Sequence, residues 1–116
     1  MGTDRARVDA HLPLRPVEFH ILLSLSTGER HGYGIIQDIE ARGDAVVPDV
    51  GTMYRALARL VEQAFIEGVP AESADERRIN YRITTLGRQV ARAEARRLEA
   101  LAHAARLSGL LTRRAT

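Results

Sequence analysis

Arg55 and Arg59, four residues apart, are the side chains of this chain best placed to meet an anion. At that spacing they leave adjacent turns of one helix face. Each guanidinium is permanently charged and presents a planar fork of donors, which fits phosphate oxygens or the O6/N7 edge of guanine. Gly51 and Thr52 precede them and Tyr54 lies between. The helix that carries them has a second face. Val50, Met53, Tyr54, Leu57, Leu60, Val61 and Ala64 recur at three- and four-residue steps and predict one apolar stripe, with Thr52, Arg55, Ala56 and Arg59 opposite. A charged helix face alone is ordinary solvated surface. A helix anchored on one side and offering guanidinium groups on the other also meets the requirement for reading a DNA major groove.

A second basic site falls at Arg77 and Arg78, at the end of the polar link Glu72-Ser73-Ala74-Asp75-Glu76-Arg77. Such a turn is solvated surface or, next to a DNA-reading helix, a place from which cations reach phosphates without crossing the core. Other chemistries find little support. His11, His20, His31 and His103 include no pair at the helical spacing of a metal site, and there is no cysteine to assist them, so no metal or cofactor is expected. There is no glycine-rich phosphate loop and no nucleophile–base arrangement, so the chain does not read as an enzyme.

The elements that must position these residues follow from start and stop signals. Residues 1–11 are polar and read as a mobile N-terminal arm. Pro16 suits the first position of a helix through Phe19, Ile21, Leu22, Leu23 and Leu25 to about Thr27, apolar nearly all round, with Gly28 after it. A second helix begins near His31-Gly32-Tyr33-Gly34, carries Ile35, Ile36 and Ile39, and closes at Gly43. Two glycines in a first turn lower helix propensity and imply a close neighbour there. Pro48-Asp49 leads into the arginine-bearing helix, with Asp49 as N-cap. Period-two alternation in Phe65–Val69 and in Ile79, Tyr81 and Ile83 predicts a β-hairpin. Thr84 caps a long helix, Leu86 to about Leu107. Its shallow stripe of Leu86, Val90, Ala93, Leu98, Leu101 and Ala105 suits close approach of another helix, with Glu94, Arg97 and Glu99 flanking it.

The fold class is therefore mostly α with a β-hairpin: a winged helix-turn-helix over residues 12–84, a C-terminal helix over 85–111, to which the resemblance below assigns dimerisation, and a tail over 112–116. At 116 residues and 45% apolar composition the chain can bury a core, which argues against wholesale disorder. All seventeen basic residues are arginine, and a coding bias explains that without any partner. The net charge of +2 is too small to argue for nucleic acid, so placement decides. No apolar run approaches the length of a membrane span, and Met1 to Ala10 has no hydrophobic segment after it, so a cytoplasmic location is expected.

Three runs, in order, are similar to a known family. They are Leu14-Arg15-Pro16-Val17-Glu18-Phe19-His20-Ile21-Leu22, His31-Gly32-Tyr33-Gly34-Ile35, and Gly51-Thr52-Met53-Tyr54-Arg55-Ala56-Leu57. Leu60 to Ile66, Arg77 to Thr84, and Leu86-Gly87 continue the likeness. Together they make the chain resemble the PadR-like transcriptional regulators, winged-helix repressors of bacteria, over about Leu12 to Leu111. The family's usual glycine is replaced by Ala64, which a left-handed helix ending would strain. Asp49 places a carboxylate near the expected phosphates.

The resemblance implies a homodimer in which the long helix packs on the partner's N-terminal region, with Phe19, Leu98, Leu101 and Ala105 in the contact. It implies double-stranded DNA as partner, met by Gly51, Thr52, Tyr54, Arg55 and Arg59, and by Arg77 and Arg78, with His31 and Tyr33 either touching DNA or packing beneath the reading helix. Two reading helices imply an inverted-repeat operator with half-sites about 34–36 Å apart. A small-molecule effector would release the repressor. The alternatives are a small-molecule-sensing module, disfavoured as an aromatic stacking site by the lack of tryptophan, and a protein-binding winged helix, which would favour apolar residues at 55 and 59.

Overall fold

Apolar residues at helical spacing in separate segments have to share one interior, and that requirement sets the architecture. The computed structural model describes residues 2–43, 47–70 and 79–112. Their order is α1 (Gly2–Asp9), α2 (Pro16–Leu25), β1 (Arg30–His31), α3 (Gly32–Ala41), α4 (Val50–Glu62), β2 (Ile66–Pro70), β3 (Ile79–Ile83) and α5 (Thr85–Leu107). Ile21, Leu22 and Leu25 of α2, Ile35 and Ile39 of α3, Met53, Leu57 and Leu60 of α4, Phe65 and Ile66 after it, and Val90 of α5 form a single buried cluster. The fold is mostly helical with a small antiparallel sheet.

Starts follow the expected chemistry. Pro16 opens α2. Asp49 Oδ1 accepts the Thr52 N–H at 2.7 Å at the start of α4, and Thr84 Oγ1 accepts the Gly87 N–H at 3.0 Å at the start of α5. Each cap satisfies a donor that the helix itself leaves unpaired.

Several local expectations are corrected. Residues 1–11, read as an arm, contain α1, which packs on α5; its Val8 joins the buried cluster. The hairpin is part of a three-stranded sheet of order β1-β3-β2. β1 pairs Arg30 with Tyr81 and His31 with Asn80, and two residues are too few to show a period. Phe65 and Ile66 are both buried, while Ile79 is exposed. The α4–β2 turn, not strict alternation, sets which side chains enter the core.

Polar hooks lock the layers. Asp38 of α3 accepts the Ser24 hydroxyl at 2.7 Å and Arg42 Nη1 at 2.8 Å. The Ser24 hydrogen bond, aided by Arg30 and Arg42, holds its carboxyl below the usual range despite desolvation. Glu94, expected to flank a helix contact, is instead buried in α5. Its Oε2 accepts the Leu14 N–H at 3.1 Å, which fastens the segment before α2 to α5.

The turn after α4 carries a measurable strain. Phe65 N–H reaches Leu60 O at 2.9 Å and Ala64 N–H reaches Val61 O at 3.0 Å, the doubly bonded helix ending that normally has glycine in its left-handed position. Ala64 occupies that position with φ 64°. The side chain costs about 1–2 kcal/mol there, offset in part by the greater chain entropy that glycine loses on folding. Ala64→Gly is expected to raise stability by up to about 1 kcal/mol, seen as a melting temperature several degrees higher. A lower melting temperature would contradict this account of the turn.

Candidate nucleic-acid interface

The first turns of α4 are the place where the sequence's candidate residues come together. Met53, Ala56, Leu57 and Leu60 are the buried positions of this helix. They fall at steps of three, one and three, a narrower arc than the stripe read from sequence. Ala56, assigned to the free face, is buried, and Val50 and Val61, assigned to the core, are exposed. The neighbours α2, α3 and β2 bury only that arc.

Tyr54 is likewise on the exposed side, at 47% of its full exposure, rather than in the core. Its ring lies across the start of α3. A Cβ placed on Gly32 would stand 2.5 Å from the Tyr54 hydroxyl and 2.9 Å from Cζ, so only glycine admits the ring in this position. The costly glycine of the α3 first turn is thus explained by a residue of α4. Tyr81 of β3 is half-buried on the same side, and desolvation together with the Tyr54 phenol pushes its own hydroxyl to a higher pKa. The Tyr81 phenol therefore stays protonated near neutral pH and remains a donor.

Thr52 and Arg55 complete the cluster. Arg55 is exposed, and its Nη2 donates to Thr52 Oγ1 at 3.3 Å. The guanidinium folds back over the helix start, with Nη1 3.1 Å from where a Gly51 side chain would begin. Asp49 stands beside it as the exposed N-cap. Hydrogen bonds from Thr52, first of all its backbone N–H, hold the Asp49 carboxyl below its usual range, and the Arg55 charge adds to this. Gly51, Thr52, Tyr54 and Arg55 thus form one exposed polar patch on an anchored helix end.

His31 and Tyr33 flank Gly32 and extend that patch. His31 is the N-cap residue of α3, and its ring lies 6.5 Å from that of Tyr33, which is well exposed.

Arg59 does not join them. Its Nε donates to Glu18 Oε2 at 2.9 Å, across to α2. The Glu18 side chain is only 9% exposed, so the pair is a joint between α2 and α4. Sequence reasoning treated Arg59 as a free cation and gave Glu18 no role. The available signal was Glu18 itself, an acid within a helix otherwise apolar nearly all round, which requires a cation on a neighbouring element.

Arg77 and Arg78 lie outside the described residues. Of the described wing, Arg82 is paired across the strands with Glu67, its register partner. Among the described residues no cluster of three potential metal ligands occurs. His11 packs edge-on against Phe65 and His20 sits beside Arg42. No described helix is long and apolar enough to cross a membrane.

Of the residues assigned to a helix–helix contact, Leu98 and Leu101 are exposed, Ala105 is half-buried, and Phe19 is packed against the core cluster. The second half of α5 therefore presents an apolar edge beyond the core.

Comparison with known proteins bears on the family and the fold. Residues 21–93 match the model of the transcriptional regulator PadR-like family. No curated protein matches. A transcriptional regulator from Clostridium thermocellum shares 26% identity at a TM-score of 0.68, over 95% of this chain and 99% of that one. A PadR family transcription regulator from Clostridium difficile superposes with a TM-score of 0.71 at 22% identity, covering 78% of this chain and 95% of that one. Bacillus subtilis PadR, solved with operator DNA, is similar at a TM-score of 0.62 and 24% identity, over 70% of this chain and 47% of that one.

Proposed function

The chain belongs to the PadR-like family of transcriptional regulators, and from that premise we propose that it is a dimeric, sequence-specific DNA-binding repressor. The observation that carries this reading is the exposed patch of Gly51, Thr52, Tyr54 and Arg55 on a helix whose other face is core. The Thr52 N–H at this helix start is already taken by Asp49, which leaves side chains to meet phosphate. The Thr52 and Tyr54 hydroxyls supply donors and set the register on the duplex. Arg55 supplies the charge and the fork that reads a base edge. His31 and Tyr33 border the same surface, and Arg77 and Arg78 would hold the flanking phosphates. The Bacillus subtilis relative was crystallised on operator DNA, which supports the same use of the fold here.

Residues 12–84 would be the DNA-binding unit and 85–111 the dimerisation helix. Leu98 and Leu101, exposed in the single chain, would be covered by the second copy. Two reading helices then demand an inverted-repeat operator, and an effector that changes their separation would release it.

Arg55 and Arg59 have different roles in this scheme. Arg55→Ala is expected to weaken binding to the DNA upstream of the chain's own gene about tenfold or more, as lost base or phosphate contacts do. Arg59→Ala is expected to cost about 1–3 kcal/mol of stability by leaving Glu18 unpaired in a nearly closed site. Gel shifts and denaturation curves on both variants separate the two roles. Undiminished DNA binding by Arg55→Ala would remove α4 as the reading helix.

A further inference from the structure

The face of α5 that meets α1, at the margin of the core, forms a second site. Gln89, Arg92, Ala93 and Arg96 follow one another at helical steps, while the residues that α5 buries are Gly87, Val90 and Glu94. Arg5, Val8 and Asp9 of α1 run alongside them, and the two helices border an open groove of about 600 Å³. That is roughly the volume of a small-molecule site. Among the described residues, three guanidinium groups line it against one carboxylate, Asp9.

The arginines of this groove differ from others in the chain. Arg42, Arg59, Arg82 and Arg97 each pair with a carboxylate. Arg5, Arg92 and Arg96 have no hydrogen bond or ion pair with any described residue. Arg92 and Arg96 are four apart on one helix face, where like charges repel. Arg5 faces them from the other wall. Val8 and Ala93 give the groove an apolar lining between the charges.

We propose that the α1–α5 groove binds a small organic polyanion, with two or more carboxylate or phosphate groups carried on a short stem. One acidic group meets Arg92 and Arg96, a second meets Arg5, and the stem lies over Val8 and Ala93. Gln89 offers an amide donor, and the Asp9 carboxylate disfavours a ligand that brings negative charge to its end of the groove. By bridging the walls, the ligand fastens α1 to α5. Its use as an effector rests on the repressor reading above, but binding to the groove does not.

Calorimetric titration of the full chain with citrate and, separately, with inorganic pyrophosphate at matched ionic strength tests the proposal without DNA. Saturable binding of either probe is expected, with citrate alone pointing to carboxylates and pyrophosphate alone to phosphates. Arg92→Gln/Arg96→Gln, which removes two charged hydrogen-bonded contacts, should weaken it at least about tenfold. Arg5→Gln, on the opposite wall, should also weaken it, whereas Arg106→Gln, elsewhere on α5, should leave it unchanged. No saturable heat up to about 10 mM of either probe, weaker than millimolar affinity, would overturn the site. So would undiminished binding by the double variant. If the double variant loses its dimer in sedimentation while anion affinity is unchanged, the arginines belong to a subunit contact and the proposal also fails.

Discussion

Gly87→Ala is expected to leave little folded protein at ordinary temperature, with a loss of at least about 3 kcal/mol. A Cβ at this position would stand 1.9 Å from the carbonyl oxygen of Phe65 and 2.8 Å from its carbon. Both are backbone atoms, so no side-chain rotation relieves the clash. The carbonyl is also held from another direction, because the Thr84 N–H donates to Phe65 O at 3.0 Å. Thr84 Oγ1 in turn donates to Ala64 O at 2.6 Å. The start of α5 is thus stapled to the turn that follows α4, and Phe65, fully buried, anchors that turn in the core. Moving α5 outward to admit a methyl group breaks the staple and opens the core beside Val90. Circular dichroism and denaturant unfolding measure the effect. Near-native stability of Gly87→Ala would show that α5 can shift without cost, contrary to this packing.

Glu94→Ala should be the second most damaging of these changes, at about 3 kcal/mol. Glu94 is 2% exposed. Besides the Leu14 N–H, its carboxylate accepts both Nε and Nη2 of Arg97, the latter at 2.9 Å. Alanine leaves the Leu14 N–H without its acceptor and frees the segment that leads into α2. The same carboxylate gives a pH signature. Hydrogen bonding from Arg97, aided by the Leu14 N–H, holds its pKa below the ordinary value in spite of desolvation. A group whose pKa is lowered by folding stabilises the fold fully above its unfolded value, about 4.3 for glutamate. That contribution disappears as pH falls through the lower folded value. Stability should therefore drop on acidification below about pH 4. Glu94→Gln, which keeps an amide oxygen for Leu14 but cannot ionise, should lose part of this acid limb. Asp38, whose pKa is also lowered, retains its share in both proteins, so the difference between the two curves reports Glu94. Identical acid limbs for wild type and Glu94→Gln would refute the assignment.

Much of the fold was legible in the chain. Asp49, Pro16 and Thr84 announce helix starts because capping is local chemistry. The order of helices and hairpin follows from hydrophobic period, and the sequence motifs identified the family that the comparison then showed. The two glycines at the start of α3 forecast a close neighbour, although only the fold names Tyr54 as the one that passes over Gly32.

What sequence left open depends on residues far apart in the chain. Hydrophobic period marks a face of α4 but not the width that neighbours cover, so Tyr54, Val50 and Ala56 changed sides. The charge of Arg59 is plain from its residue type, whereas its pairing with Glu18, forty-one positions away, exists only once α2 and α4 pack. α1 looked unstructured because eight polar-rich residues cannot fold alone; it gains its place from α5. Local propensity, capping and composition thus determined which elements exist and which carry arginine. Packing decided which arginines are tied into joints and which remain to meet an anion, because a guanidinium's role is set by the nearest carboxylate in space, which its neighbours in sequence do not specify.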